Sequence, residues 1–188
     1  LGYALENRQI VGRVFPGLIN ELNVRPLASY LQTLLESLLT DSDDEEPLAV
    51  VLTPGPFNET YFEHAYLARH LGVPLVQGQD LTVRADTLYL KTFAGLRRVH
   101  AVLRRLDDDY CDALELRADS ALGVAGLLGV VRAGRVVLAN ALGTGVLESS
   151  AWQGFLPVAS QALLGEPLRM PSVATWWCGE QPALEYVI

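Results

Sequence analysis

Residues 48–76 read LAVVLTPGPFNETYFEHAYLARHLGVPLV, and this stretch decides the fold class. Its first five residues form a continuous apolar run, as in a strand buried on both faces of a parallel sheet. Asn58 is a favourable N-cap for a helix, and Gly72 is typical of the residue that ends one. A second apolar run follows at 73–76. The stretch therefore predicts a βαβ unit.

The same alternation extends outward from this unit. Apolar runs at 99–106 and 136–139 predict two more strands of the sheet, and the alternating residues on either side of Ala85-Asp86 predict a β-hairpin over 81–92. Capped or amphipathic segments predict further helices at residues 27–39, 120–133 and 149–165. The pattern predicts a three-layer α/β fold with a mainly parallel sheet and a β-hairpin insertion.

The predicted organisation is one domain of a larger protein. Residues 1–46 form an N-terminal segment, in which Pro16 and Gly17 interrupt any early helix and an acidic linker occupies 41–46. Residues 47–188 form the α/β core. The chain begins at a leucine and ends inside an apolar pattern, which indicates a segment cut from a longer polypeptide.

Composition argues against several classes of protein. Half of the 188 residues are hydrophobic, so the chain can bury a core, and its net charge of −8 disfavours nucleic acid and anionic membranes as partners. No apolar run approaches the roughly 20 residues that span a bilayer. Cys111 and Cys178 have no metal-ligand or redox spacing, which is typical of reduced thiols in a cytoplasmic protein.

Polar or glycine-rich residues follow three predicted strands, at the edge where open α/β sheets bind ligands. After the first strand, Thr53, Gly55 and Asn58 lead into a helix whose N-terminal N–H groups suit an anion, and Gly55 allows close approach to the backbone. Glu63 and His64 lie on the first turns of this helix. His64 is either a ligand-contacting residue or a structural one. The lysine and hydroxyl of a P-loop are absent.

The second group is Arg104, Arg105 and the acids Asp107, Asp108 and Asp109. The arginines could clamp a carboxylate or phosphate, and the acids could hold Mg²⁺. Alternatively, the two sets neutralise one another as a salt-bridged strand exit. Because side chains alternate along a strand, at most one arginine faces a given crevice.

The third group, at 140–145, contains Asn140, Gly143 and Thr144. It resembles a dinucleotide fingerprint only weakly, because the third glycine is missing, and it is equally explained as a tight turn. No spacing predicts a Ser/His/Asp or Cys/His arrangement, so no catalytic residue is predicted, and the three histidines show no zinc pattern.

Six segments, taken in order, carry a family resemblance: Tyr3-Ala4-Leu5-Glu6-Asn7-Arg8, Leu52-Thr53-Pro54-Gly55-Pro56-Phe57-Asn58, Tyr61-Phe62-Glu63-His64-Ala65, Arg104-Arg105-Leu106-Asp107-Asp108-Asp109, Asp119-Ser120-Ala121-Leu122-Gly123-Val124 and Ala139-Asn140-Ala141-Leu142-Gly143-Thr144-Gly145-Val146. In these segments the chain resembles the circularly permuted ATP-grasp proteins of type 2, and is similar to the synthetase part of glutathionylspermidine synthase. The resemblance covers essentially the whole chain.

The resemblance implies a pre-ATP-grasp domain, a Rossmann-like sheet on the acceptor-substrate side of a ligase cleft. It places the metal-binding strand before Tyr3 and the nucleotide-binding lysine and glycine-rich loop after the last residue. ATP and Mg²⁺ are therefore implied for the longer protein, and no cofactor for this chain. The implied partners are the flanking ATP-grasp halves of the same polypeptide and a small-molecule or peptide-like substrate.

The implied chemistry is ATP-dependent carboxylate–amine or carboxylate–thiol ligation, which this chain alone does not catalyse. Two other readings compete with it. A Rossmann domain of an oxidoreductase would carry G-x-G-x-x-G after the first strand, where this chain has Pro54-Gly55-Pro56. A non-catalytic interaction module would have purely structural loops. A thermal-shift assay with MgATP, NAD and glutathione distinguishes the three.

Overall fold

The computed structural model describes residues 2–40, 42 and 44–188. Leu1 and two residues of the predicted acidic linker, Asp41 and Asp43, lie outside the described residues. The chain forms two compact units, Leu1–Ala141 and Leu142–Ile188. The assignment of residues 47–188 to a single domain remains a prediction.

The first unit combines helices with two sheets. In chain order its elements are α1 (Gly2–Val14), α2 (Pro16–Glu21), α3 (Ala28–Leu39), β1 (Ala49–Leu52), α4 (Tyr61–Leu71), β2 (Leu75–Val76), β3 (Leu81–Arg84), β4 (Thr87–Thr92), β5 (Gly95–Arg98), β6 (Ala101–Arg104), α5 (Leu127–Arg132) and β7 (Val137–Ala139). Strand β1, helix α4 and strand β2 form the predicted βαβ unit. The predicted interruption at Pro16 is also present, because Pro16 occupies the first turn of α2, where its missing N–H costs nothing.

A four-stranded parallel sheet, in the order β2-β1-β6-β7, is the centre of this unit. Leu38 of α3 packs against Ala49 and Ala101 on one face of the sheet. Val50 and Val102, which point to the opposite face, are also fully buried. Both faces are therefore covered, as the continuous apolar runs predicted, and the α/β fold class is confirmed.

The predicted hairpin is present within a three-stranded antiparallel sheet, β3-β4-β5. Ala85 and Asp86 both have positive φ, 48° and 54°, as a two-residue hairpin turn of the type I′ kind requires. Strand β5 was not predicted. Its residues are all exposed, so it lacks the apolar alternation that identifies a strand in the sequence.

The helix predicted from Ser120 to Ala133 is wrong in its first half, because α5 begins only at Leu127. The hydroxyl of Ser120 donates to the Tyr110 carbonyl 2.8 Å away, so Ser120 secures a loop. A Cβ at Gly123 would collide with the backbone carbonyls of Tyr110 and Cys111. This close approach of two backbones favours an irregular segment over a helix.

The second unit contains α6 (Trp152–Leu164) and α7 (Gln181–Val187). Helix α6 confirms the helix predicted at 149–165, and Gly165 ends it with a left-handed φ of 70°. Gly143, with φ 84°, precedes a 3₁₀ segment at Thr144–Glu148. Helix α7 was not predicted. No helix in the described part of the chain is long and apolar enough to cross a membrane.

Candidate functional site

The carboxyl ends of β1 and β6 lie side by side. Leu52 pairs with Arg104 in the parallel register, and the Arg105 N–H donates to the Leu52 carbonyl at 2.9 Å. The residues that follow each strand, Thr53 and Arg105, are therefore neighbours at one edge of the sheet. This is the edge at which open α/β sheets bind ligands.

A continuous chain of hydrogen bonds begins at Thr53. The Gly55 N–H donates to Thr53 Oγ1 (3.2 Å), which contacts His64 Nδ1 (2.8 Å). On the other side of the imidazole, His64 Nε2 contacts Thr60 Oγ1 (2.9 Å), and this hydroxyl donates to Asn58 Oδ1 (2.6 Å). The loop after β1 and the start of α4 are thus joined through the His64 ring.

The direction of these bonds defines the state of His64. Since the Thr60 hydroxyl donates to Asn58, it must accept from His64 Nε2–H, and Nδ1 must accept from Thr53. The ring is fully buried, and this burial, together with the nearby Arg105, lowers its pKa from 6.5 to about 4. Of the two readings of His64, its partners favour the structural one: a neutral imidazole that holds the loop in position.

The N-cap prediction for Asn58 is wrong by two residues. Helix α4 begins at Tyr61, and Asn58 Oδ1 instead accepts the backbone N–H of Thr60 (2.9 Å) in a turn before the helix. Glu63 does lie in the first helical turn, and Gly72 ends the helix with φ 70°, as predicted. The sequence could not separate a cap from a turn, because asparagine satisfies the backbone in both.

Arg104 is an internal anchor. Its guanidinium donates to the carbonyls of Asn140 (2.9 Å) and Ala141 (3.2 Å), and to that of Leu106. It also pairs with Asp108 at 2.6 Å, with a side chain only 10% exposed. This one residue therefore joins the ends of β6 and β7. For Arg104 and Asp108, the structure adopts the salt-bridged alternative.

Arg105 has a different environment. Its side chain is 33% exposed and lies 3.8 Å from Glu63, which is longer than a hydrogen bond, so the pair is electrostatic. Glu63 is itself held by the N-terminus of α1, whose Tyr3 N–H points to it at 3.5 Å. The predicted alternation of the two arginines is present: Arg104 is turned inward and Arg105 is accessible.

The thiol of Cys111 lies behind this loop. Cys111 is fully buried, and its Sγ donates to the Asp107 carbonyl at 3.3 Å. Burial raises the pKa of the thiol to about 11. A nucleophilic thiolate at this position is therefore disfavoured.

The described residues do not fit a site for MgATP. No group of three or more His, Cys, Asp or Glu in the described part of the chain is arranged to hold a metal ion. Asp107 is exposed and Asp108 is paired with Arg104. The only lysine in the sequence, Lys91, lies in β4 and donates to the Gln79 carbonyl at 2.7 Å. No reaction step that involves the nucleotide is therefore assigned to these residues.

Two of the predicted site residues, Gly143 and Thr144, belong to the second unit. The others belong to the first unit: Thr53, Gly55, Asn58, Glu63, His64, Arg104, Arg105, Asp107, Asp108 and Asn140. Within the first unit, contacts link Asn140 to Arg104, and Arg105 to Glu63.

Sequence reasoning missed two residues of this edge. Thr60 supplies the hydroxyl between His64 and Asn58, and its position two residues after an asparagine was the available signal. No feature of the sequence pointed to Gln77. The backbone of Gly55 has φ 109°, which favours glycine, and a Cβ there would lie 2.8 Å from Gln77 Oε1.

Comparison with known proteins gives a match over the whole chain. The family model described as "Circularly permuted ATP-grasp type 2" matches residues 1–188. An uncharacterized protein of Synechocystis sp., sll0335, is 42% identical over 190 residues, which cover 100% of this chain and 40% of that protein.

Two proteins of Mycobacterium tuberculosis are similar to the same extent. The uncharacterized proteins Rv2411c and Rv2567 are each 42% identical over 180 residues, or 95% of this chain. The match spans 33% of the first and 20% of the second. The chain thus spans well under half the length of these curated relatives.

Proposed function

The chain belongs to the circularly permuted ATP-grasp type 2 family, and we propose that it forms the acceptor-substrate wall of an ATP-dependent carboxylate–amine or carboxylate–thiol ligase. The observation that carries the proposal is the accessible guanidinium of Arg105, held beside Glu63 at the carboxyl edge of a parallel sheet. The proposal includes the finer analogy with the synthetase part of glutathionylspermidine synthase.

In this proposal Arg105 binds and orients an anionic group of the substrate. A guanidinium forms bidentate, charge-assisted bonds with carboxylate or phosphoryl oxygens, and positioning together with charge neutralisation supplies most of the catalysis in such transfers. Glu63 positions Arg105 through their electrostatic contact. Thr53 and Gly55 are buried and joined to His64, so they support the adjacent loop from below its surface.

The family name implies ATP for the longer proteins, and Mg²⁺ accompanies ATP in such transfers. Bound MgATP would phosphorylate the substrate carboxylate with release of ADP, and the amine or thiol would then displace phosphate from the acyl group. We propose that residues beyond this chain hold both groups, and that the flanking ATP-grasp halves are its partners. Both cysteines are unpaired, which fits the reducing environment of the cytoplasm.

The first test is Arg105→Met in a full-length family protein that contains this chain. That protein is screened for ADP release stimulated by pairs of carboxylates with amines or thiols, and the variant is assayed with the active pair. Loss of a charge-assisted bond worth about 1.5–3 kcal/mol should lower kcat/KM at least about tenfold. The unfolding midpoint should change little, because Arg105 is accessible.

Arg104→Met is the matched comparison. This variant removes the cation that satisfies Asp108 and three carbonyls, so it should cost about 3 kcal/mol of unfolding free energy. An Arg105 variant with full ligase activity would remove the proposed role of this residue. A full-length protein that releases no ADP with any pair would contradict the ligase proposal itself.

A further inference from the structure

A second candidate site lies away from the strand ends, among the N-terminal helices. Helices α1 to α4 line a half-open cavity of about 670 Å³ within the first unit. Aliphatic side chains from all four helices line it, including Leu5, Ile19, Leu31, Leu35 and Leu71. Its volume lies in the range of cavities that bury small-molecule ligands.

The charge of this cavity is opposite to that of the chain. Arg8 and Arg25 line it together with His70, and none of the described residues that line it is acidic. The sequence as a whole has 22 Asp and Glu and a net charge of −8. The Arg8 guanidinium donates to the Arg25 carbonyl, which ties the two arginines to the same wall. A cavity with an apolar lining and two arginines is complementary to a ligand that has an apolar part and a negative charge.

We propose that this cavity binds a small carboxylate with an apolar body. The aliphatic or aromatic part of the ligand lies between the helices, where it leaves water, and the carboxylate pairs with Arg8 and Arg25. Arg25 is exposed, so it can reach a ligand that enters from solvent, whereas Arg8 is half-buried. The class of ligand is thus a medium-chain fatty acid or an arylalkanoic acid.

This site is distinct from the edge that carries Arg105. From α4 the cavity is lined by Tyr66, His70 and Leu71, whereas Thr60 and His64 belong to the strand-end network. His64 and Tyr66 are two residues apart, so they lie on different faces of the helix. The inference therefore does not depend on the proposed ligase function.

The test is a calorimetric titration of the full-length protein with decanoate. We expect saturable binding at one site, at least about tenfold tighter than binding of decyltrimethylammonium, which has the same chain and the opposite charge. Arg25→Gln should weaken decanoate binding about tenfold. Arg13→Gln removes an exposed arginine of α1 that does not line the cavity, and it should leave the affinity unchanged.

A second pair of variants tests the location. Gly12 lines the cavity, and a Cβ there meets no atom within 4 Å, so Gly12→Leu should fill the space without strain and abolish decanoate binding. Gly17→Leu, equally unhindered but outside the cavity, is the control. The proposal is overturned if the full-length protein binds no decanoate, as when another part of the polypeptide fills the cavity. It is also overturned if Gly12→Leu binds normally or if the cationic amphiphile binds as well.

Discussion

Arg104 and Arg105 are chemically identical neighbours with different tasks. Strand alternation turns Arg104 toward the carbonyls of Asn140 and Ala141, where its donors are used within the protein. Arg105 is turned the other way and remains accessible beside Glu63. Only a residue whose donors can reach solvent can exchange water for a ligand. At this scale, the direction of the side chain separates the structural role of Arg104 from the binding role that we propose for Arg105.

His64 leads to a prediction about pH. The folded protein holds the pKa of His64 at about 4, while an unfolded chain has the ordinary value of 6.5. The unfolded state therefore binds more protons between these values. The stability that depends on a neutral His64 is complete above pH 6.5 and is lost as pH falls toward 4, by about 1.4 kcal/mol per pH unit.

Urea titrations of the parent chain and of His64→Gln at a series of pH values measure this effect. The difference in unfolding free energy between them should shrink as pH falls from 6.5 toward 4. Above pH 7 the unfolding free energies of the two proteins should differ by a constant amount, which serves as the internal control. A difference that stays constant down to pH 4 would mean that His64 titrates normally in the folded protein.

At the scale of elements, the segment between β6 and α5 is held by buried polar contacts. The fully buried carboxylate of Asp112 accepts N–H groups from Leu114 (2.9 Å), Gly126 (3.0 Å) and Leu128 (3.0 Å). The last two belong to the start of α5, whose N-cap residue makes no side-chain hydrogen bond of its own. The Asp112 carboxylate therefore caps the N-terminus of this helix. This contact explains why α5 begins at Leu127.

Gly123 allows a further prediction for this segment. Because a Cβ there would collide with the carbonyls of Tyr110 and Cys111, Gly123→Ala should cost about 1–3 kcal/mol of unfolding free energy. Gly129→Ala is the matched control. Gly129 lies inside α5 with no atom within 4 Å of its added Cβ, so alanine should stabilise the helix by about 0.5–1 kcal/mol. Denaturant midpoints measure both, and equal midpoints would contradict the close backbone packing.

At the scale of the whole molecule, the proposed division places the substrate edge in this chain and the nucleotide site in the rest of the longer protein. We expect residues 1–188 alone to give no saturable heat with MgATP at micromolar concentrations. Lys91 is engaged with Gln79, and no metal-ligand group is formed by the described residues. The longer protein, titrated in parallel, should bind MgATP. Saturable binding by the isolated chain would place a nucleotide site within it and contradict the proposed division of tasks.

The sequence by itself determined the features that depend on local chemistry. The apolar runs identified the parallel strands, because strands buried on both faces need no polar residues. The αL positions of Gly72 and Gly165 were predictable for a related reason, since glycine adopts positive φ without steric cost. The order of these elements was sufficient for the α/β class, and the six quoted segments carried the resemblance to the family.

Only the tertiary structure decided which groups meet. The bonds from Arg104 to Asn140 and Ala141 join residues 36 and 37 positions apart, and Gly78 lies against the backbone of Gly123. The cavity between α1 and α4 likewise depends on how four helices pack. Local propensity contains no information about such distant contacts. They form because burying the apolar faces of several elements together brings their polar residues to one place.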